Sequence, residues 1–374
     1  MARKYGKKNV IKVNPLAYNL GLIGDSGIGK TTLAKEVCET LVGEDGYLVL
    51  QFGKENGHDA IAGIMYEEIP DWETFEDLVD DITENRMTDY KDLRVMVYDT
   101  IDQLFEIAEP EVIRLHNKDN LDKPVKSIKA AFGGYQGGED KAIALVLEKI
   151  WELKGMGINM FVIGHTKKRT LTDAVTGLEY DIVTTNMSNK YFSAIKTKLH
   201  ALGVATIDRE IAKYKTGKKV NNKDVIKGRV SNESRKITFR DDNFNIDSKS
   251  RFANIIGEIE FDKYLFIEAI ENAIKAESEK QGDVGDLEKI KKQQEKEKEE
   301  QIKSVMEEKQ NKNKEKEVNE IIDVITEFVK ENKRNKDLIT KLSGKSKEMG
   351  LESPLKVKDL EQAKALLEFV NGLL

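Results

Sequence analysis

Tyr18-Asn19-Leu20-Gly21-Leu22-Ile23-Gly24-Asp25-Ser26-Gly27-Ile28-Gly29-Lys30-Thr31-Thr32-Leu33 is a short apolar run that closes on glycine and passes into a helical pattern, with Leu33, Val37 and Leu41 on one face. Gly24, Gly29, Lys30 and Thr31 fill every fixed position of G-x-x-x-x-G-K-[ST]. They stand between a predicted strand and a predicted helix, the context that motif requires. Backbone N–H groups have to curl around a phosphate chain at the positive end of a helix, and glycine permits both the turn and the close approach. Gly24, Asp25, Ser26, Gly27, Ile28, Gly29, Lys30, Thr31 and Thr32 are therefore the expected nucleotide cradle. Lys30 is expected to reach the β- and γ-phosphates and the Thr31 hydroxyl to coordinate Mg²⁺, so ATP and Mg²⁺ are the implied cofactors.

Outward from this stretch, further apolar runs appear at Tyr47–Phe52, Leu93–Tyr98 and Met160–Ile163. Helical patterns separate them: the acidic Asp71–Glu84, then a segment with Ile143, Leu147, Ile150 and Trp151 on one face. Short strands alternating with helices predict an α/β fold with a mostly parallel sheet covered on both sides. Between Ala201 and Phe244 the pattern turns to short alternating runs separated by Gly217, Asn221 and Asn222, which predicts antiparallel hairpins at one edge. A helix over Phe261–Ala276 closes the first domain, residues 1–276. Residues 277–317, rich in Glu, Lys and Gln, read as a charged helical linker with apolar positions too sparse for a stable coiled coil. Helical periodicity returns at residues 318–374, through Ile321, Ile325, Phe328, Leu366 and Val370, and predicts a helical mini-domain.

Asp99 ends the third apolar run, the place for the second Mg²⁺-binding acid beside a phosphate loop. Thr100 follows it, so no adjacent glutamate is available to activate water. Glu55, just beyond the second run, is the best candidate for that carboxylate, with an ordinary exposed loop acid as the alternative. The fourth run ends in Gly164-His165-Thr166, where His165 or Thr166 could sense the γ-phosphate, although a lone histidine often only packs. The polar stretch from Lys167, Lys168 and Arg169 to Asn189 reads as a long connection, which usually signals function or disorder. In Phe132-Gly133-Gly134-Tyr135-Gln136-Gly137-Gly138 the glycines either relax a turn or free Tyr135 to stack on bases.

Length and composition bound the rest. With 374 residues, 39% hydrophobic and 34% charged, the chain can bury one large core and still leave a strongly solvated part. Cys38 is the only cysteine and His58, His116, His165 and His200 lack ligand spacing, which argues against disulfides and structural zinc. The basic Met1–Lys12 segment has no apolar signal-peptide run and no stretch reaches a membrane span, so a cytoplasmic protein is expected. Between Lys190 and Arg240 stand 14 Lys and Arg against 4 Asp and Glu, a net of +10, which leaves −16 on the rest of a chain whose total is −6. A solvated β-rich surface and a footprint for a phosphate backbone both fit that segment.

Residues 15–276 resemble the RecA-like AAA-family P-loop ATPases of bacteriophages that are associated with DNA recombination and single-strand annealing. The resemblance rests on Gly24–Thr31, Tyr98-Asp99-Thr100-Ile101-Asp102, Gly164-His165-Thr166-Lys167 and Ser248-Lys249-Ser250-Arg251-Phe252. It implies a homo-oligomer on single-stranded DNA with ATP between subunits, and makes Lys249 or Arg251 candidate fingers for a neighbour's γ-phosphate. It also implies that Tyr135 and the Lys167-Lys168-Arg169 segment face DNA. A replicative helicase or helicase loader, or an ATP-gated module recruiting a protein partner through the C-terminal helices, remain as alternatives.

Overall fold

The computed structural model describes residues 10–54, 57–173, 175–220, 223–240, 247–280, 287–333 and 335–373. Along the chain come β1 (Leu20–Gly24), α1 (Lys30–Val42), β2 (Tyr47–Phe52), β3 (Tyr66–Ile69), α2 (Trp72–Glu84), β4 (Val95–Asp99) and α3 (Ile101–Asp119). Then follow α4 (Gly137–Gly155), β5 (Asn159–Thr172), β6 (Glu179–Thr185), α5 (Asn189–Lys196), β7 (Ala201–Val220), β8 (Lys223–Thr238), β9 (Lys249–Ser250), β10 (Glu258–Glu260) and α6 (Lys263–Glu279). The sheet order is β10-β8-β7-β1-β5-β4-β2-β3, with β6 hydrogen-bonded to β5 and β9 to β7. From β7 to β3 every pairing is parallel, while β8, β10, β9 and β6 join antiparallel.

Alternation along each central strand explains why helices cover both faces. Leu20 and Leu22 of β1, Val95 and Val97 of β4, and Phe161 and Ile163 of β5 turn to the face packed by α1 and α6. Ile23, Met96, Tyr98, Met160 and Val162 turn to the other, packed by α2, α3, α4 and α5. Strands buried on both faces carry no polar alternation, so they read in the sequence as plain apolar runs. On α1 the contact stripe is Leu33, Ala34, Val37 and Cys38; on α3 it is Leu104, Phe105, Ala108 and Val112. Both have the spacing of one helical face. The α/β architecture and the antiparallel edge are as the sequence predicts; Asn221, Asn222 and the last four residues of that predicted stretch, 241–244, lie outside the described residues.

The long connection expected over Lys167–Asn189 is instead ordered secondary structure. β5 continues eight residues past Gly164 and pairs with β6 from Thr166↔Thr185 to Thr172↔Glu179, and α5 starts at Asn189. The β-branched residues Thr166, Thr170, Thr172, Ile182, Val183, Thr184 and Thr185 suit a pleated ribbon. At the tip, Asp173 Oδ1 accepts from the Val175 and Thr176 backbone N–H groups, and Gly177 takes positive φ, an Asx-type turn.

The molecule divides into residues 1–297 and 298–374. Helix α7 (Leu287–Glu331) crosses that division, and α8 (Lys336–Glu348) and α9 (Leu360–Asn371) follow. The second unit has its own apolar cluster of Ile321, Ile325, Phe328, Leu342, Leu366 and Val370. Among the described residues no helix is long and apolar enough to cross a membrane.

Candidate nucleotide-binding site

β1 delivers Gly24 to the end of the sheet between His165 of β5 and Ala205 of β7. A side chain at Gly24 would put a Cβ 2.8 Å from the Ala205 carbonyl oxygen, so the loop leaves the sheet at a glycine by necessity. Gly27 and Gly29 hold φ of +76° and +104°, a region other residues enter only with strain. α1 begins at Lys30 with no side-chain cap on its first turn, which leaves the helix's leading N–H groups for an anion. The Lys30 side chain is 6% exposed, and its ammonium donates to the carbonyls of Gly24 at 3.1 Å and Asp25 at 3.0 Å. It is folded over the loop it serves, with its charge held at the mouth of the cradle.

Asp99 is brought to the same end because β4 runs parallel to β5, and β5 to β1. The Thr31 hydroxyl donates to Asp99 Oδ2 at 2.6 Å. A hydroxyl and a buried carboxylate form an oxygen-only donor pair, which suits a hard cation such as Mg²⁺ and would not suit a softer metal. When bound, such an ion neutralises charge on the β- and γ-phosphates. These residues would hold that ion and fix where it and the triphosphate sit.

Sequence reading missed His58. It is 4% exposed in a short turn after β2; its Nε2 lies 3.0 Å from Asp99 Oδ2 and its Nδ1 meets the Gln51 side-chain amide. The ring stacks on Tyr66 at 5.6 Å. Gln51 is opposite Asp99 in the β2–β4 register, so the grouping is created by strand pairing and leaves no local spacing to read. Glu55, predicted to activate water from the same connection, lies outside the described residues.

His165 and Thr166 have different partners, the first on α3 and the second in the phosphate loop. His165 Nδ1 is 3.2 Å from Asp102 Oδ2, and the Thr166 hydroxyl donates to Asp25 Oδ1 at 3.0 Å. Burial alone would raise the Asp102 carboxyl, but the hydrogen bond and charge of His165, with help from Thr100 and the Asp102 backbone N–H, hold it below the ordinary carboxylate range. Directly beyond, Lys167, Lys168 and Arg169 are exposed on the β5–β6 ribbon.

The remaining predicted residues are placed elsewhere. Tyr135, 92% exposed, sits in a tight turn where Phe132, Tyr135 and Gln136 all have positive φ. Lys190 pins that turn by donating to the Gln136 carbonyl. Lys249 pairs with Leu202 where β7 starts, Arg251 follows β9, and their side chains donate to the carbonyls of Lys196 and Thr197. In register, Ala201 pairs with Leu20 and Ala205 with Gly24. Lys249, opposite Leu202, is thus three residues along the sheet from the level of Gly24, and Arg251, beside His200, five, roughly 10 and 17 Å at about 3.3 Å per residue, and their side chains turn to Lys196 and Thr197 instead of the loop. Burial, then Arg251 and Lys196, lowers the Lys249 ammonium from its ordinary value.

A protein-family model described as an AAA domain matches residues 17–251, more than half of the chain. No curated protein matches. Among solved structures, a KaiC-like protein from the hyperthermophilic archaeon Pyrococcus horikoshii aligns at 12% identity over 68% of this chain and 95% of its own, with a TM-score of 0.36. A type III secretion system ATPase of pathogenic bacteria aligns at 14% identity over 51% of each chain, with a TM-score of 0.30. With the complete phosphate loop, the Thr31–Asp99 pair and the match over residues 17–251 together, the chain belongs to the AAA-domain family and is a P-loop ATPase.

Proposed function

We propose that this ATPase acts on single-stranded DNA in recombination or annealing, as a homo-oligomer that holds ATP between subunits. The observation that carries the reading is the continuity of β5. One strand runs from His165, beside the phosphate loop, into the exposed cations Lys167, Lys168 and Arg169. The Thr166–Asp25 hydrogen bond ties the root of that ribbon to the loop itself. A change in the loop on hydrolysis is thereby passed to a basic ribbon of the shape that tracks a phosphate backbone, and exposed Tyr135 supplies a face for a base. Glu55 is the proposed water-activating carboxylate. Lys249 and Arg251, far from their own phosphate loop, are the proposed fingers for a neighbour's nucleotide.

ATP hydrolysis measured with single-stranded DNA, duplex DNA and RNA tests the reading. Single-stranded DNA is expected to stimulate, and Lys167→Ala with Lys168→Ala and Arg169→Ala to abolish that stimulation. Absence of stimulation together with absence of DNA binding at low salt overturns it. A second reading, an ATP-gated module that recruits a protein partner, is favoured by the separate apolar cluster of residues 318–370. Removing residues 318–374 would then end partner recruitment with ATP hydrolysis retained. A strand-displacement assay separates both from a helicase or helicase loader, which alone requires unwinding.

A further inference from the structure

We propose that His58 is a positioning residue for the metal-binding carboxylate: it fixes the rotation of Asp99 and so sets how tightly this ATPase holds its divalent cation. The inference rests on Asp99 and Thr31 being the metal pair.

Asp99 is 4% exposed and Oδ2 accepts from the Thr31 hydroxyl at 2.6 Å. His58 Nε2 reaches the same oxygen at 3.0 Å from the opposite connection. A carboxylate buried this deeply requires donors, because a desolvated charge without hydrogen-bond partners is strongly disfavoured. Thr31 supplies one donor but also has to serve the cation. His58 has no such second duty. At Nδ1 the ring meets the Gln51 side-chain amide; with that amide turned so that its NH2 donates to Nδ1, the ring's one N–H is at Nε2 and donates to Asp99, and Tyr66 lies across the ring face, so His58 constrains Asp99 through contacts on two sides. A histidine kept only for packing would not need to share the oxygen that Thr31 uses. Partners that orient metal-binding groups in this way typically change metal affinity by about 10- to 100-fold when removed.

The geometry also separates the two ring nitrogens. Glutamine places its amide where Nε2 stands, so His58→Gln keeps a donor towards Asp99. Asparagine places its amide where Nδ1 stands, so His58→Asn keeps the Gln51 contact and loses Asp99. The experiment uses the full chain with ADP and no nucleic acid, and measures Mn²⁺ affinity by electron paramagnetic resonance, with the Mg²⁺ half-saturation of ATP hydrolysis alongside. His58→Ala and His58→Asn are expected to weaken Mn²⁺ binding about tenfold and raise the Mg²⁺ half-saturation in parallel. His58→Gln is expected to stay within about threefold of the natural chain, and ADP affinity in EDTA to be the same in all of them. Unchanged Mn²⁺ affinity in His58→Ala and His58→Asn, with a clear loss in Asp99→Asn, overturns the proposal. No loss in Asp99→Asn either overturns the metal pair itself, and the proposal with it. If His58→Ala does not fold, the contrast between the glutamine and asparagine variants decides the matter in the same way.

Discussion

Replacing Lys30 by methionine separates the charge of the phosphate-loop lysine from its packing. Lys30 is buried and methionine keeps its length and most of its volume, so little space opens where it packs. The change removes two charge-assisted hydrogen bonds, to the carbonyls of Gly24 at 3.1 Å and Asp25 at 3.0 Å, each worth about 1.5–3 kcal/mol. It also removes the cost of holding an ammonium group in a largely desolvated place, which is of similar size and opposite sign. The two nearly cancel, and the expected net change in stability is about 1 kcal/mol, a shift in Tm of about 2–4 °C. Catalysis has no such compensation. As charge moves onto the phosphate oxygens in the transition state, the Lys30 ammonium would offset it, and Arg235, which donates to the Ile28 carbonyl at 3.1 Å, stays on the outer side of the loop backbone and keeps its own partner. Loss of one preorganised donor of this kind costs about 2.7–4 kcal/mol, so kcat for ATP hydrolysis should fall about 100- to 1,000-fold. The assay is steady-state phosphate release at saturating Mg²⁺ and ATP, paired with a melting curve of the same sample. A kcat within tenfold of the natural chain would refute the placement of Lys30 at the phosphates. A lost activity accompanied by a Tm drop above about 10 °C would show that the ammonium holds the loop together instead.

Gly24→Ala forces a Cβ against the Ala205 carbonyl oxygen at 2.8 Å and the Ala205 Cβ at 2.9 Å; a cost of about 1–3 kcal/mol in urea unfolding is expected, with nucleotide affinity falling alongside, and unchanged values for both would refute the tight exit from β1. Stability should fall as the pH drops from 6.5 towards 4, because burial first, then Lys154 and Arg251, push the His200 ring down to about 4 from 6.5. In that window the unfolded chain binds a proton that the folded chain refuses, so the full contribution is present above pH 6.5. His200 is partly solvated, and after screening about 1 kcal/mol is expected; chemical denaturation at pH 7 and 4.5 of the natural chain and His200→Gln checks it, the variant showing the smaller change. For the DNA reading, Lys168→Ala should flatten the logarithmic salt dependence of single-strand binding by about 0.7 if Lys168 neutralises one phosphate, and an unaltered slope in a titration over salt removes it from the contact.

What the sequence reveals about this molecule depends on how far apart along the chain the cooperating residues lie. Gly24–Thr31 is legible because strand exit, glycine turns, lysine and hydroxyl are contiguous, and each is demanded by the same phosphate chain. β1, β2, β4 and the first residues of β5 are legible because burial on both faces makes them unbroken apolar runs. The outer half of β5 escapes that rule. Past Gly164 it leaves the core, and on β6 only Ile182, Val183 and Thr185 are buried, so the ribbon shows the polar composition of a loop while its β-branched residues carry the strand preference. α3 has a clear apolar face, Ile101, Leu104, Phe105, Ala108 and Val112, yet Pro110 interrupts the pattern that would announce it. His58 and Asp99 are 41 residues apart and meet because β2 and β4 are neighbours and a short turn after β2 folds back over Asp99. No periodicity encodes such a meeting. The same reasoning separates Lys249 and Arg251 from the phosphate loop: the pairing of β9 with the start of β7 sends them to the far end of the strands. Cations fixed roughly 10 and 17 Å along the sheet from their own site would reach a nucleotide through another copy of the chain. Mixing Lys30→Met subunits with subunits lacking both cations is therefore the direct test of shared sites. If sites are shared, half of the mixed junctions pair an intact phosphate loop on one subunit with intact cations on its neighbour and should recover hydrolysis, whereas sites complete within one subunit would show no recovery.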